Sequence, residues 1–195
     1  MKNHKVLGVI AARKDSKRLP GKNIKLLNGR PLITYTIKTA LLSKKLNDII
    51  IYSNDEMILK IAEGYGINSM KEPDYLAEDH IMPEVAIEYL LRQLDKTYDA
   101  VVLLQPTSPL RIHEDVDNCI KMFFDGGFDS VVSVIQFKKL YTFMPNGAVF
   151  VMKNHSKWTN NMGLYVMPQD RSIDVDLEED FELAELIMKK QNKKD

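Results

Sequence analysis

Four short, continuous apolar runs, spaced so that a helical segment fits between them, restrict the fold of this chain more than any other feature. The first is Val6-Leu7-Gly8-Val9-Ile10-Ala11-Ala12, and similar runs fill 49–52, 100–104 and 130–135. A run without alternation marks a strand covered on both faces, since a half-exposed strand alternates apolar and polar residues. Helical periodicity predicts helices over 31–42, 56–65, 83–94 and 114–124, with a last one over 178–190. Pro31 and Pro83 suit a first helical turn, where the missing N–H has no partner to lose, and Glu114 and Asp115 complement a helix dipole. Strands alternating with helices need crossover connections, so the pattern predicts an α/β chain around a mostly parallel sheet. A turn at Pro145-Asn146-Gly147 leads into a further strand over 148–152, and 153–162 reads as loop or short helix.

The length of 195 residues suits a single domain over 1–195. Its 27 basic residues balance 27 acidic ones, so no global charge argues for a nucleic-acid partner and only local clusters speak to ligands. The lone cysteine, Cys119, sits in a helical stretch and reads as a small buried hydrophobe. The first apolar run is far shorter than the ~18 residues of a membrane span, and only five residues precede it, so a cytoplasmic protein with no membrane contact is expected. The basic stretch Lys189-Lys190-Gln191-Asn192-Lys193-Lys194 reads as a solvated helix end. The histidines at 4, 80, 113 and 155 have no metal-cluster spacing, and His80 reads as a surface residue.

In open parallel sheets ligands bind beyond the carboxyl ends of the strands. The loop after the first run is Arg13-Lys14-Asp15-Ser16-Lys17-Arg18-Leu19-Pro20-Gly21-Lys22-Asn23, with five cations in ten residues. Arginine forks onto two phosphate oxygens, lysine neutralises as a point charge, and loop N–H groups add fixed positive potential, so the loop suits a polyphosphate. By composition alone it reads equally as an exposed basic loop. It is neither a Walker A motif nor a dinucleotide fingerprint, because the required glycines are missing. A second element, Asp174-Val175-Asp176, puts two carboxylates on one side of an extended segment; they either share a hard cation or are ordinary surface charge. In a third, Gln105-Pro106-Thr107-Ser108-Pro109-Leu110-Arg111, polar side chains able to bond sugar hydroxyls follow a buried strand; a rigid turn into the next helix is the plainer reading.

Together these blocks resemble the cytidylyltransferases that activate acidic sugars, especially acylneuraminate cytidylyltransferases. Ala12-Arg13, Ser16-Lys17, Pro20 and Lys22-Asn23 match the family's first motif, A-R-x-x-S-K-x-x-P-x-K-N. The likeness continues through 27–37, Tyr52-Ser53-Asn54-Asp55, 104–111, 129–134, Asn146-Gly147-Ala148 and Ser172-Ile173-Asp174-Val175-Asp176, in the family's order. It implies a three-layer, Rossmann-like nucleotidyltransferase fold and transfer of CMP from CTP to a nonulosonic acid such as sialic, legionaminic or pseudaminic acid, with pyrophosphate released. It further implies Mg²⁺ held by Asp174 and Asp176, and a nucleotide held by Ala11, Arg13, Ser16, Lys17, Lys22, Asn23, Ala77 and Asp79. Arg13, Lys22 and Asp176 take the catalytic roles, while Gln105, Thr107, Ser108, Asn146 and Phe150 face the acceptor.

Two departures stand out. Glu72 occupies the place of the arginine in the family's R-P-x-x-L-A loop, next to Lys71. The link 135–145 is much shorter than the family's usual dimerisation insertion, leaving 135–165 as a reduced acceptor and dimerisation region in which Lys138 and Lys139 are candidates to meet an acidic sugar; a homodimer is the family's expectation. A related enzyme with another nucleotide or sugar, and a CTP-binding module without turnover, are the alternatives.

Overall fold

The computed structural model describes residues 4–14, 16–78, 80–137, 142–153 and 161–191. Asp15, Asp79, Lys138, Lys139, His155, Lys193 and Lys194 lie outside that set. Strand β1 (Val6–Ala11) is followed by a two-residue hairpin, β2 (Leu26–Leu27) and β3 (Arg30–Pro31), then α1 (Ile33–Leu42), β4 (Asp48–Ser53), α2 (Glu56–Gly64) and β5 (Asn68–Lys71). The chain continues through α3 (Pro83–Arg92), β6 (Ala100–Leu103), α4 (His113–Gly126), β7 (Ser130–Phe137), β8 (Thr142–Lys153), β9 (Met162–Val166) and α5 (Glu178–Gln191). Seven strands form one sheet in the order β5-β4-β1-β6-β8-β7-β9. The β1–β4, β1–β6, β4–β5 and β7–β9 pairs are parallel, and β8 runs antiparallel to both its neighbours.

The apolar runs are buried for the reason their sequence suggested. Along β1, Val6 and Ile10 join a cluster with Ile33 and Ile37 of α1, Ile58 of α2 and Ile120 of α4, while Leu7 and Val9 join Ile87 and Leu90 of α3 on the opposite face. Helices on both faces of a mainly parallel sheet make the α/β three-layer architecture that the alternation predicted. A third cluster lies apart from the sheet, where Leu19, Leu27 and Leu32 pack on Val175 and on Phe181, Ala184 and Met188 of α5.

Three local expectations are corrected. Pro31 does not open a helix; it pairs with Leu26 in the hairpin, whose turn Asn28-Gly29 has φ of 45° and 76°. Asn-Gly is the residue pair that a two-residue hairpin with both central φ positive favours, so the hairpin had a local signal. Pro145-Asn146-Gly147 is likewise no chain reversal but lies within β8, where Val132 faces Phe150 and Val134 faces Pro145. The extra residues form a bulge, with Gly147 at φ 67° absorbing the distortion. Finally, Lys153 closes β8 and Met162 opens β9, so the ends of the expected loop 153–162 are strand; 154–160 lie outside the described residues.

Candidate nucleotide site

The strands β1, β4, β5 and β6 end on one side of the sheet, and the segments leaving them converge on a cleft of about 480 Å³. It is lined by Ala11, Arg13, Ser16, Lys17, Arg18, Lys22 and Asn23 from the first loop, and by Gln105, Pro106 and Thr107 after β6. Glu72 after β5, Leu103, and Pro83 and Ala86 of α3 complete the wall.

The loop is braced from below. Ser53 donates to the Ala12 carbonyl at 2.5 Å, Asn54 accepts from the Lys14 N–H at 2.9 Å, and Asn23 donates to the Arg13 carbonyl at 3.0 Å. Gly21, at φ 66°, lets the chain turn into a short 3-10 turn that presents Lys22. The Arg13 guanidinium donates to the carbonyls of Glu78 and Ile81 at 3.1 and 3.0 Å, tying the loop to the segment before α3.

The paired carboxylates meet this loop across the sequence. Lys22 Nζ donates to Asp176 Oδ1 at 2.8 Å and to the Val175 carbonyl at 3.1 Å, while Arg18 pairs with Asp176 Oδ2 at 2.8 Å. The segment's geometry follows its pattern: Val175 is fully buried in the third apolar cluster, which turns both aspartates the other way. Asp180, in the first turn of α5, accepts from the backbone N–H groups of Asp176 and Leu177 and fixes the approach. The Val175 N–H donates to the Thr107 carbonyl at 2.7 Å, and the Thr107 hydroxyl bonds Asp174. Burial pushes the Asp174 carboxyl above the usual range, against the Thr107 bond, and its Oδ1 is buried without a partner.

Of the acceptor candidates, Gln105 and Thr107 line the cleft, and Gln105 Oε1 lies so close to Gly147 that a Cβ there would sit 2.6 Å from it. Ser108 and Asn146 are buried behind that wall. Ser108 donates to the Asn146 carbonyl; the Asn146 side chain accepts from Ser133 at 2.6 Å and donates to Ser172 at 3.1 Å. Phe150 packs beside the second apolar cluster, opposite Leu103. Ala77 ends a 3-10 turn, Asp74–Leu76, beyond the lining residues, and Asp79 lies outside the described ones. His80 is exposed beside Glu78.

Sequence reasoning missed Arg18 as a partner of Asp176, and also the struts Arg111, Asp115 and Arg171. Arg111 is buried and reaches the carbonyls of Gln105 and Ala148 and the Thr36 hydroxyl; Arg171 grips Asp115 through two bonds of 3.0 and 2.8 Å just before Ser172. No local pattern marks these pairs, because the partners are 37 or more residues apart, the Gln105 contact excepted.

A cation-lined cleft beyond parallel strand ends lies where open α/β sheets take their ligands, and its charge suits a polyphosphate. The chain belongs to the cytidylyltransferase family, whose model matches residues 7–184. It is 30% identical to an N-acylneuraminate cytidylyltransferase of Escherichia coli over 97% of this chain and 53% of that protein. It is 38% identical to a CMP-N,N'-diacetyllegionaminic acid synthase of Legionella pneumophila over 67% of this chain and 57% of that protein. The chain thus spans about half the length of these curated relatives. The fold matches a solved CMP:2-keto-3-deoxy-manno-octonic acid synthetase in complex with CTP, with a TM-score of 0.77 at 14% identity over 96% of this chain and 99% of that one. Among the described residues no helix is long and apolar enough to cross a membrane.

Proposed function

We propose that this chain transfers CMP from CTP to an acidic sugar of the nonulosonic type, releasing pyrophosphate, as a Mg²⁺-dependent cytoplasmic enzyme. The link from Lys22 to Asp176 carries the reading, because it places the loop cations against the paired carboxylates at the wall of a nucleotide-sized cleft. The relatives' names point to the same chemistry.

The metal reading is supported by the donor set. Asp174 has a buried oxygen with no partner, and Asp176 stands two residues away on the same side, which suits a hard cation completed by phosphate oxygens and water. Among the described residues no group of three His, Cys, Asp or Glu is placed to hold a metal ion, and Asp174 and Asp176 would be the protein's share. When bound, Mg²⁺ would neutralise charge on the phosphates and leaving pyrophosphate.

Lys17, Arg18 and Lys22 hold the triphosphate and stabilise the charge that grows on it in the transition state. The unpartnered Asn23 Oδ1 offers an acceptor to a ribose hydroxyl. Gln105 and Thr107 orient the acceptor so that its anomeric hydroxyl attacks the α-phosphorus in line. The new P–O bond forms as the bond to the β-phosphate oxygen breaks, pyrophosphate departs with that electron pair, and the hydroxyl proton passes to water at Asp176. A second copy of the chain completes a homodimer, for which the exposed Phe143, Met144, Leu164 and Val166 supply apolar surface.

A pyrophosphate-release screen over the four nucleoside triphosphates and several acidic sugars tests the reading. Turnover that needs CTP, an acidic sugar and Mg²⁺ together is expected; nucleotide binding without turnover on any acidic sugar overturns it. Light scattering tests the dimer, and a monomer at working concentration refutes it.

A further inference from the structure

Glu72 lines the cleft, yet it is only 2% exposed. Its Oε2 has no hydrogen-bond partner. A buried carboxyl oxygen left unpaired costs free energy, so its place in a ligand cleft points to a donor brought by the ligand. The same cleft has an apolar part of its lining, Ala11, Leu103, and Pro83 and Ala86 from α3, on which a flat ring can pack.

Charge decides which part of the ligand lies here. Lys17, Arg18 and Lys22 draw the polyphosphate to their own part of the cleft, and a carboxyl group repels both phosphate and an acidic acceptor. The nucleobase remains, as the flat, uncharged part of the substrates. Resting on the proposed function, we propose that Glu72 is the base-selecting residue: its free carboxyl oxygen accepts a hydrogen bond from the exocyclic N4 amino group of cytosine and meets the O4 carbonyl of uracil as a repelling acceptor. Glutamate accepting from cytosine N4 is an established pairing of donor and acceptor.

The protonation state of Glu72 supports this choice and gives it a signature. Burial raises its pKa above the ordinary 4.5, and the Arg13 guanidinium opposes the rise; among the described residues the Tyr52 hydroxyl also faces it. An ionised carboxylate only accepts, whereas the neutral acid also donates and so tolerates O4. The preference for CTP over UTP therefore grows as pH rises through the raised pKa.

The test is calorimetric binding of CTP and UTP, each with Mg²⁺, between pH 5 and pH 8, to the wild type, Glu72→Gln and Glu72→Leu. The triphosphate titrates alike in both nucleotides, so their affinity ratio isolates the base. The expected wild-type preference for CTP is on the order of tenfold at pH 8, shrinking as pH falls toward the raised pKa. Glu72→Gln, whose amide turns to donate or accept, brings the ratio near one at every pH while still binding both nucleotides, and Glu72→Leu loses the preference too. Should Glu72→Leu fail to fold, the amide variant decides alone. Equal wild-type affinities at pH 8, or an amide variant that keeps the full preference, overturn the assignment and leave the proposed transferase standing. A wild type that binds neither nucleotide overturns both.

Discussion

Lys22 and Asp176, 154 positions apart in sequence, form a hydrogen-bonded ion pair of 2.8 Å at the wall of the cleft. Lys22 is thus held by the segment that carries the carboxylates, and its ammonium is aimed before any phosphate arrives. Replacing it by methionine keeps the stem but removes the charge, and turnover is expected to fall on the order of 100-fold. Steady-state pyrophosphate release, with circular dichroism to confirm the fold, checks this; near wild-type turnover contradicts the role.

Gly147→Ala should impair turnover more than nucleotide binding. The residue sits at φ 67°, a conformation that costs a non-glycine residue roughly 1–2 kcal/mol. Its new Cβ would lie 2.6 Å from Gln105 Oε1, a proposed acceptor contact, and 3.3 Å from Asp174 Oδ2 of the proposed metal pair, pressing hardest on Gln105. Comparing the acceptor's KM with the calorimetric affinity for CTP separates the two effects.

Arg171→Met should lower thermal stability. Asp115 is fully buried and would lose its two guanidinium bonds, keeping those from the Tyr165 hydroxyl and the Ile112 N–H. Stranding one member of such a pair costs on the order of 3 kcal/mol. Adding Asp115→Asn removes the stranded charge and should restore part of the loss in a thermal melt.

The bond from the Tyr98 hydroxyl to Asp48, at 2.8 Å, gives stability two pH edges. Burial first, and then this bond, pushes the Tyr98 hydroxyl from 10.0 to about 12, so the folded state holds its proton more tightly than the unfolded chain. Its contribution is whole below pH 10 and is lost as pH rises through about 12. For Asp48 the Tyr98 bond is the main cause of a lowered pKa, so that contribution is present above 3.8 and is lost as pH falls below it. Tyr98→Phe should flatten both edges in urea titrations across pH.

Cys119 should resist thiol reagents in the folded protein. It is fully buried, and burial pushes its thiol well above the ordinary 9.0. Modification should become rapid only in denaturant; fast labelling of the native protein would contradict the packing.

The centre of the sheet was legible because β1 and β6 are apolar throughout and carry their burial in composition. The outer strands β5 and β9 were not. Asn68, Ser69 and Lys71 of β5 are exposed, and Met162, Leu164 and Val166 of β9 are not fully buried, so neither has a continuous buried run. The chemistry of the site was legible as separate pieces, a basic loop and two aspartates, because residue type and spacing are local. Their joining was not: it depends on Val175 entering the apolar cluster with Leu19 and Phe181, which only the folded chain brings together. Glu72 was visible as a departure, but its burial and its unpartnered oxygen needed coordinates.

That third cluster, Leu19, Leu27 and Leu32 against Val175, Phe181 and Met188, also sets an order of assembly. As the chain leaves the ribosome, β1 and its helices have partners early, whereas the basic loop and its hairpin stay unclosed until residues near 188 emerge. Closing so long a loop comes late, because its entropy must be lost before any contact repays it. A nascent chain therefore carries the basic loop after β1 unclosed, and the proposed phosphate grip is completed only when α5 docks.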